Sequence, residues 1–102
     1  MKIVWTEPAV ADLTAIRDYI ARDSEHYAAR FIGRIIEAVE RLETFPELGR
    51  RVPEAADRDV REILFRAYRI IYRITGERVE ILSVLHGSRD LTRRSPKSWE
   101  VE

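Results

Sequence analysis

The stretch 68–86 has two runs rich in isoleucine, leucine, valine and tyrosine on the two sides of Gly76-Glu77, a pattern typical of a β-hairpin. Glycine at the first central position favours a two-residue type II′ turn, in which Thr75 pairs with Arg78. A one-residue slip would turn the apolar side chains toward solvent, so pattern and turn together predict one register for the whole hairpin.

This register sorts the hairpin into two faces. The face predicted to lie under the helices contains the opposed pairs Ile74–Val79, Tyr72–Ile81, Ile70–Ser83 and Tyr68–Leu85. The other face contains the pairs Arg73–Glu80, Ile71–Leu82 and Arg69–Val84, the first of which is a cross-strand ion pair. Arg69 and His86 become diagonal neighbours on that second face, roughly 7–8 Å apart between their Cα atoms.

The first half of the chain predicts two helices. Thr6 and Ser24 are candidate N-caps, and Pro8 falls in a first helical turn. Apolar residues then recur at spacings of three and four, as Ala9, Leu13, Ile16 and Ile20, and again as Ala28, Ile32, Ile35, Val39 and Leu42. Each stripe requires an apolar surface to pack against, so we expect a helical hairpin on one face of a sheet.

The remaining segments complete an α+β fold of order β-α-α-β-β-β with a mostly antiparallel sheet and the α-helical hairpin packed on one face. Strands are predicted at 2–5, 60–66, 68–74 and 78–86. The segment 45–59 contains two prolines and many charges and is predicted to be a loop. A loop this long in a small domain has either a functional role or the role of a plain surface crossover.

The composition excludes several classes of protein. A chain of 102 residues forms one domain, predicted at 1–91, with a polar tail at 92–102 that we expect to be mobile. It has neither an apolar run of membrane-spanning length nor a segment resembling a signal peptide, which favours the cytoplasm. The absence of cysteine excludes disulfides, a thiol nucleophile and zinc–thiolate sites, and nothing indicates a metal or another cofactor.

The formal net charge is zero but unevenly distributed. Residues 1–49 carry six basic and nine acidic side chains, whereas residues 50–102 carry twelve basic and nine acidic ones. Overall neutrality argues against a protein that coats nucleic acid nonspecifically. Most of the basic residues are arginine, which reflects either codon usage or contacts with phosphate and carboxylate groups.

Polar residues converge where the last strand ends. Arg69 and His86 share the predicted second face, and Arg89 lies just beyond the strand. Each also has a structural interpretation: Arg69 pairs with Glu62 or Asp90, His86 bonds to backbone, and Arg89 pairs with Asp90. Beside them the predicted face leaves Ile71, Leu82 and Val84 without internal cover, so we expect a helix or strand of a partner to cover them.

Several pieces of the chain, in this order, resemble the ParE/RelE toxins of bacterial type II toxin–antitoxin modules, and the ParE branch most closely. The pieces are the opening strand with EPAVADLTAIRDYI, then LETFPELGRRVPE, VREI, YRIIYRI and ILSVLHGSRD. The resemblance implies a small cytoplasmic toxin neutralised by a cognate antitoxin, ParD-like or similar, in a hetero-oligomer that contacts operator DNA only through the antitoxin. ParE-like members poison DNA gyrase, and RelE-like members cleave mRNA in the ribosomal A site.

The resemblance to RelE-like ribonucleases carries over to Arg69, Arg89 and, as a general base, His86. Other family positions depart from the pattern: an expected basic pair falls at Val60 and Glu62, and an expected tyrosine at Ser95. We therefore expect a gyrase inhibitor without catalytic residues. The alternatives are a ribosome-dependent mRNA endonuclease and a non-toxic antitoxin-binding homologue.

The expected contacts of such an inhibitor follow from this placement. Those expected to touch the target are Arg69, His86, Arg89, Arg93 and Arg94. Those expected to touch the antitoxin are Ile71, Arg73, Leu82 and Val84.

Overall fold

In the computed structural model, which describes residues 1–55 and 59–87, two helices pack on one face of a five-stranded sheet. The elements are β1 (Lys2–Trp5), α1 (Glu7–Ala21), α2 (Glu25–Glu40), β2 (Arg50–Arg51), β3 (Val60–Phe65), β4 (Tyr68–Thr75) and β5 (Arg78–His86). The predicted α+β class and the order of its main elements are confirmed. Arg89, Arg93, Arg94 and the tail at 92–102 lie outside the described residues.

The strand order is β1-β5-β4-β3-β2, with β1 parallel to β5 and every other pair antiparallel. The helical hairpin connects β1 to the antiparallel part of the sheet. The segment predicted as a plain loop contains β2 and a single 3₁₀ turn, Pro53–Ala55. Both elements are too short to show a periodicity in sequence. No helix in the described ranges is long and apolar enough to cross a membrane.

Both predicted helix caps are confirmed. The Thr6 hydroxyl accepts a hydrogen bond from the Ala9 N–H at 3.4 Å and donates one to the Ile81 carbonyl at 2.6 Å. The Ser24 hydroxyl accepts from the Tyr27 N–H at 3.1 Å. Thr6 therefore caps α1 and also fixes the start of this helix against β5.

The predicted hairpin register is correct only next to the turn. Gly76 has φ +61°, as the first central residue of a type II′ turn requires, and Tyr72 pairs with Ile81 as expected. Leu82 then forms a β-bulge, because the next residue of β4, Ile71, pairs with Ser83. Beyond it the partners are Ile70–Val84, Arg69–Leu85 and Tyr68–His86, so the pairs predicted for this end of the hairpin are wrong.

The bulge follows from the sequence of β5. Residues 81–85 are almost continuously apolar, and both faces of the sheet bury them, so hydrophobic alternation carries no register information here. The Asp12 carboxylate of α1 accepts a hydrogen bond from the Val84 N–H at 2.9 Å, just beyond the bulge. A contact from another element thus stabilises the shifted strand.

Two hydrophobic clusters lie on opposite faces of the sheet. The helix face, which includes Val84, packs against α1 and α2 through both predicted stripes. The second face is closed by the short cover segment, residues 52–55, in a cluster of Val52, Ala55, Val60, Ile71, Leu82 and Leu85. The expected uncovered apolar surface is therefore wrong: Ile71, Leu82 and Val84 are 0%, 3% and 3% exposed. The bulge moves Val84 to the helix face, and the cover segment buries the other two.

A buried tyrosine anchors the chain that leads into β2. The Tyr72 hydroxyl donates to the Pro46 carbonyl at 2.7 Å and accepts from the Gly49 N–H at 2.9 Å. A Cβ atom at Gly49 would lie 2.6 Å from the Glu62 carbonyl oxygen, so only glycine allows this approach. Burial raises the pKa of Tyr72, and the hydroxyl stays protonated as a donor.

Candidate functional site at the end of the sheet

Arg69 is held by two carboxylates. Its Nε donates to Glu62 Oε1 at 2.6 Å, and its two terminal nitrogens donate to the Glu54 carboxylate at 2.8 and 2.9 Å. Glu62 lies on the neighbouring strand β3, whereas Glu54 belongs to the cover segment. The Arg69 side chain is 8% exposed. The guanidinium therefore binds the cover segment to the sheet, and the predicted Arg69–Glu62 pair is confirmed.

The surrounding charges balance Arg69. Arg50 donates from Nε to the other Glu62 oxygen at 2.7 Å, so two arginines and two glutamates form one cluster. The hydrogen bond to Glu54 is the largest contribution that raises the pKa of Arg69 above its ordinary value. Glu62 occupies one of the two positions at which the resemblance to RelE-like ribonucleases placed a basic residue. An anion at this position neutralises the arginine that those enzymes would use toward phosphate.

His86 does not share a face with Arg69. It pairs with Tyr68, and the two rings meet edge to face with centroids 5.8 Å apart, whereas Arg69 pairs with Leu85. Successive strand residues point to opposite faces, and the bulge reverses the predicted parity of His86. The expected diagonal contact of Arg69 and His86 on the second face is therefore wrong.

The two residues nevertheless line one groove at the end of the sheet. This sheet-end groove has a volume of about 600 Å³, and its lining includes Leu64, Arg66, Tyr68, Arg69, His86 and Gly87. The Gly87 N–H donates to the Ala67 carbonyl at 2.6 Å, which ties the end of β5 to the β3–β4 turn. In the sequence, Arg89 follows two positions after Gly87.

Sequence analysis missed two residues of the groove. Glu54 lies in a charged stretch where nothing marks it as the partner of Arg69, which is 15 positions away. Arg66 was predicted as the last residue of a strand but lies in the turn with φ +53°. The predicted strands left only Ala67 between them, one residue fewer than a tight hairpin turn contains, and this was the available signal for the turn.

The groove offers limited acid–base chemistry. His86 is exposed, and Tyr68 contacts its ring, but the Glu54 carboxylate binds Arg69 on both oxygens. Within residues 1–55 and 59–87, no three histidine, aspartate or glutamate side chains are placed to hold a metal ion. The arrangement is suited to binding a partner through its exposed rim.

Comparison with known proteins agrees with this fold. The family described as the ParE toxin of the type II toxin–antitoxin system, parDE, matches residues 3–91. The toxin RelE2 of Caulobacter vibrioides is 38% identical over 88 residues, covering 86% of this chain and 97% of the relative. Toxin ParE3 of the same organism is 30% identical over 91 residues, covering 88% of this chain and 90% of that toxin.

A solved structure, from the chromosomal ParDE toxin–antitoxin system of P. aeruginosa, superimposes with a TM-score of 0.72 at 29% identity. The match covers 84% of this chain and 95% of that one. The family match and the structural match therefore each cover most of the chain. The chain belongs to the ParE toxin family of type II toxin–antitoxin systems, within the ParE/RelE superfamily.

Proposed function

We propose that this toxin arrests growth by binding DNA gyrase and holding its cleaved complex with DNA, without cutting nucleic acid itself. The observation that carries the proposal is the burial and hydrogen bonding of Arg69. Its guanidinium is buried and hydrogen-bonded to Glu54 and Glu62, so it serves the fold.

Ribonuclease chemistry would require more than the groove provides. Attack by a 2′-hydroxyl requires a proton acceptor, a proton donor and cations beside the developing phosphorane charge. Arg69 would have to exchange charged hydrogen bonds to two carboxylates for a phosphate, with the Glu62 anion left beside it. Gyrase, in contrast, cuts DNA by itself, so an inhibitor requires only a binding surface.

The contacts with the target are proposed at the groove rim and beyond it. His86 is exposed there, and we propose that Arg89, Arg93 and Arg94 continue the contact surface. Arg69, which the sequence placed among the contacts, is instead proposed as a positioning residue. It holds the cover segment and thereby one wall of the groove.

A cognate antitoxin, ParD-like or similar, is proposed to neutralise the toxin in a cytoplasmic hetero-oligomer and to provide its link to operator DNA. Ile71, Leu82 and Val84 are too buried to form the interface. Arg73 is bonded to Glu80 at 2.7 Å and is half-buried on the second face, near the turn of the β4–β5 hairpin. We propose that the antitoxin covers Phe45 and Leu48, which are 60% and 47% exposed on a groove of about 400 Å³.

The proposal is tested by assaying purified, antitoxin-free protein against gyrase, with supercoiling and trapped cleaved DNA measured together. A parallel reaction with translating ribosomes maps mRNA cleavage. We expect cleaved DNA to accumulate and mRNA to remain intact. mRNA cut in the ribosomal A site would establish the endonuclease instead, and inactivity in both assays without growth arrest would identify a non-toxic antitoxin-binding homologue.

The variants His86→Ala and Arg89→Ala separate the two activities. A general base cannot be replaced by alanine, so an endonuclease would lose nearly all toxicity with His86→Ala while antitoxin binding survived. Gyrase binding should instead depend more on Arg89 than on His86. Nearly complete loss of toxicity with His86→Ala in a folded protein would contradict the proposal.

A further inference from the structure

We propose that the β3–β4 tip, residues 64–67, contacts the protein surface of the toxin's target, with the Arg66 guanidinium bound to a carboxylate of that surface. The inference rests on the proposed function, because it specifies how the toxin holds gyrase. The tip forms part of the sheet-end groove and was not among the residues that the sequence indicated.

The backbone of the tip is strained at one residue. Arg66 has φ +53°, in the left-handed region that glycine and asparagine adopt more easily than a long side chain. Arg66 is the only non-glycine residue with positive φ in the part of the chain that the structure describes. Strained positions of this kind concentrate at functional sites, where the surrounding structure holds them.

The structure around Arg66 supplies that constraint. Ala67 is bound by the Gly87 N–H, and a Cβ atom at Gly87 would lie only 3.1 Å from the Ala67 carbonyl oxygen. Within the tip, Phe65 packs edge to face on Phe31 of α2 with centroids 5.5 Å apart. The Arg66 guanidinium carbon lies 5.7 Å from the centroid of the Phe65 ring, within the range of a cation–π contact. The tip is therefore preorganised, which lowers the entropic cost of binding.

The tip exposes an apolar side chain and an arginine next to each other. Leu64 is 61% exposed near the end of β3, beyond the two residues of this strand that pair with β2. It stands beside Arg66, and arginine is enriched among the residues that contribute most to protein–protein binding. An apolar side chain next to a guanidinium fits a partner surface with an apolar contact beside a carboxylate.

The charges near the tip favour protein over nucleic acid as the partner. Arg50 and Arg69 line the groove, but each is paired with a glutamate. Arg66 forms no ion pair with any residue in the two described ranges. A single uncompensated arginine provides little of the counterion release that drives DNA binding, whereas it suffices for one carboxylate.

The test compares four full-length variants. Arg66→Ala removes the guanidinium but keeps a side chain that carries the same left-handed penalty, and Arg66→Lys keeps the charge without the planar fork. Leu64→Ser removes the apolar contact. Arg34→Ala is the matched control, an exposed arginine on α2 outside the groove. Each variant is assayed for growth arrest on expression, gyrase inhibition, antitoxin affinity and melting temperature.

We expect Arg66→Ala and Leu64→Ser to weaken gyrase inhibition about tenfold or more, with Arg66→Lys between them and the wild type. Antitoxin affinity and melting temperature should stay unchanged, and Arg34→Ala should behave as the wild type. Unaltered gyrase inhibition by both Arg66→Ala and Leu64→Ser would overturn the proposal. Antitoxin affinity that falls while toxicity persists would also overturn it, because the tip would then belong to the antitoxin interface.

Two further outcomes separate this inference from the proposed function. Wild-type protein that arrests growth without affecting gyrase would contradict the gyrase target. In that case, weaker growth arrest by the tip variants would support a target contact at the tip, and unchanged growth arrest would overturn it. Wild-type protein that does not arrest growth would overturn both. The wild type is also tested for binding to plasmid DNA without gyrase. Binding that depends steeply on salt and is lost in Arg66→Ala would mean that the tip contacts DNA and not protein, which would contradict the inference.

Discussion

Arg69 has a structural role at a position where the resemblance to RelE-like ribonucleases implies a catalytic one. Its donors bind two carboxylates, and one of these, Glu62, has a side chain that is fully buried. A buried ion pair is weak evidence for added stability, because desolvation offsets much of the attraction. The loss of one partner is costly, since the other charge remains buried. Arg69 is therefore expected to control whether the second face of the sheet stays covered.

The variant Arg69→Leu should lower the free energy of unfolding by about 3 kcal/mol, because the Glu62 carboxylate loses a buried partner. Urea denaturation monitored by circular dichroism measures the change. The double variant Arg69→Leu/Glu62→Leu should recover part of the loss, because it removes the uncompensated charge. A decrease of less than about 0.5 kcal/mol would place Arg69 among ordinary surface residues and contradict the structure.

At the scale of elements, the β-bulge at Leu82 decides which side chains of β5 face the helices. It keeps Leu82 and Leu85 in contact with the cover segment while Val84 joins the core under α1. A strand with apolar residues at nearly every position can satisfy both faces only if both are covered. The bulge and the cover segment therefore depend on each other, because together they bury the apolar side chains on both faces of β5.

Two equivalent charge insertions on the second face test this arrangement. Leu82→Glu should destabilise the fold by more than about 3 kcal/mol, because it places a carboxylate in the cluster under the cover segment. Leu64→Glu should change stability by less than about 0.5 kcal/mol, because Leu64 is 61% exposed. Thermal unfolding of the two variants provides the comparison. Equal effects would mean that the second face is open in solution.

The turn end of the β4–β5 hairpin carries a measurable pH dependence. The hydrogen bond from Arg73 lowers the pKa of Glu80, so the folded state favours the ionised carboxylate. Its contribution is present above the pKa of the unfolded chain, roughly 4.3, and is lost as pH falls through the lower folded-state pKa.

We therefore expect the stability difference between wild type and Glu80→Gln to be constant above about pH 5 and to shrink below about pH 4. Urea denaturation from pH 3 to pH 7 measures it. Glu77→Gln, which removes an exposed carboxylate at the same turn, provides the control. A difference that does not vary with pH would mean that Glu80 is unpaired in solution.

For the whole molecule, the described core lies in residues 3–85. The buried members of both clusters and the residues packed against them fall in this range. The basic excess of the chain falls in its second half, which also provides the strands around the sheet-end groove. The strands that line the groove thus also contribute to both clusters of the core.

Removal of residues 92–102 should leave the melting temperature within about 2 °C of the wild type, because both clusters, as formed by the described residues, lie within residues 3–85. Gyrase inhibition should fall, since Arg93 and Arg94 are proposed contacts. Differential scanning calorimetry and the supercoiling assay test the two parts separately. A melting temperature lower by roughly 5 °C or more would make the tail part of the fold.

The amino-acid sequence by itself determined the helices, their caps, the main strands and the hairpin next to Gly76, because each depends on neighbours within one or two turns or strand pairs. Only the tertiary structure decided the bulge at Leu82, the cover segment, the pairing of Arg69 with Glu54 and the left-handed Arg66. Hydrophobic periodicity states which side chains of an element are apolar but not what covers them. Where β5 is apolar on both faces, register and side-chain direction depend on contacts from distant segments, so the predicted placement of His86 and Val84 was wrong.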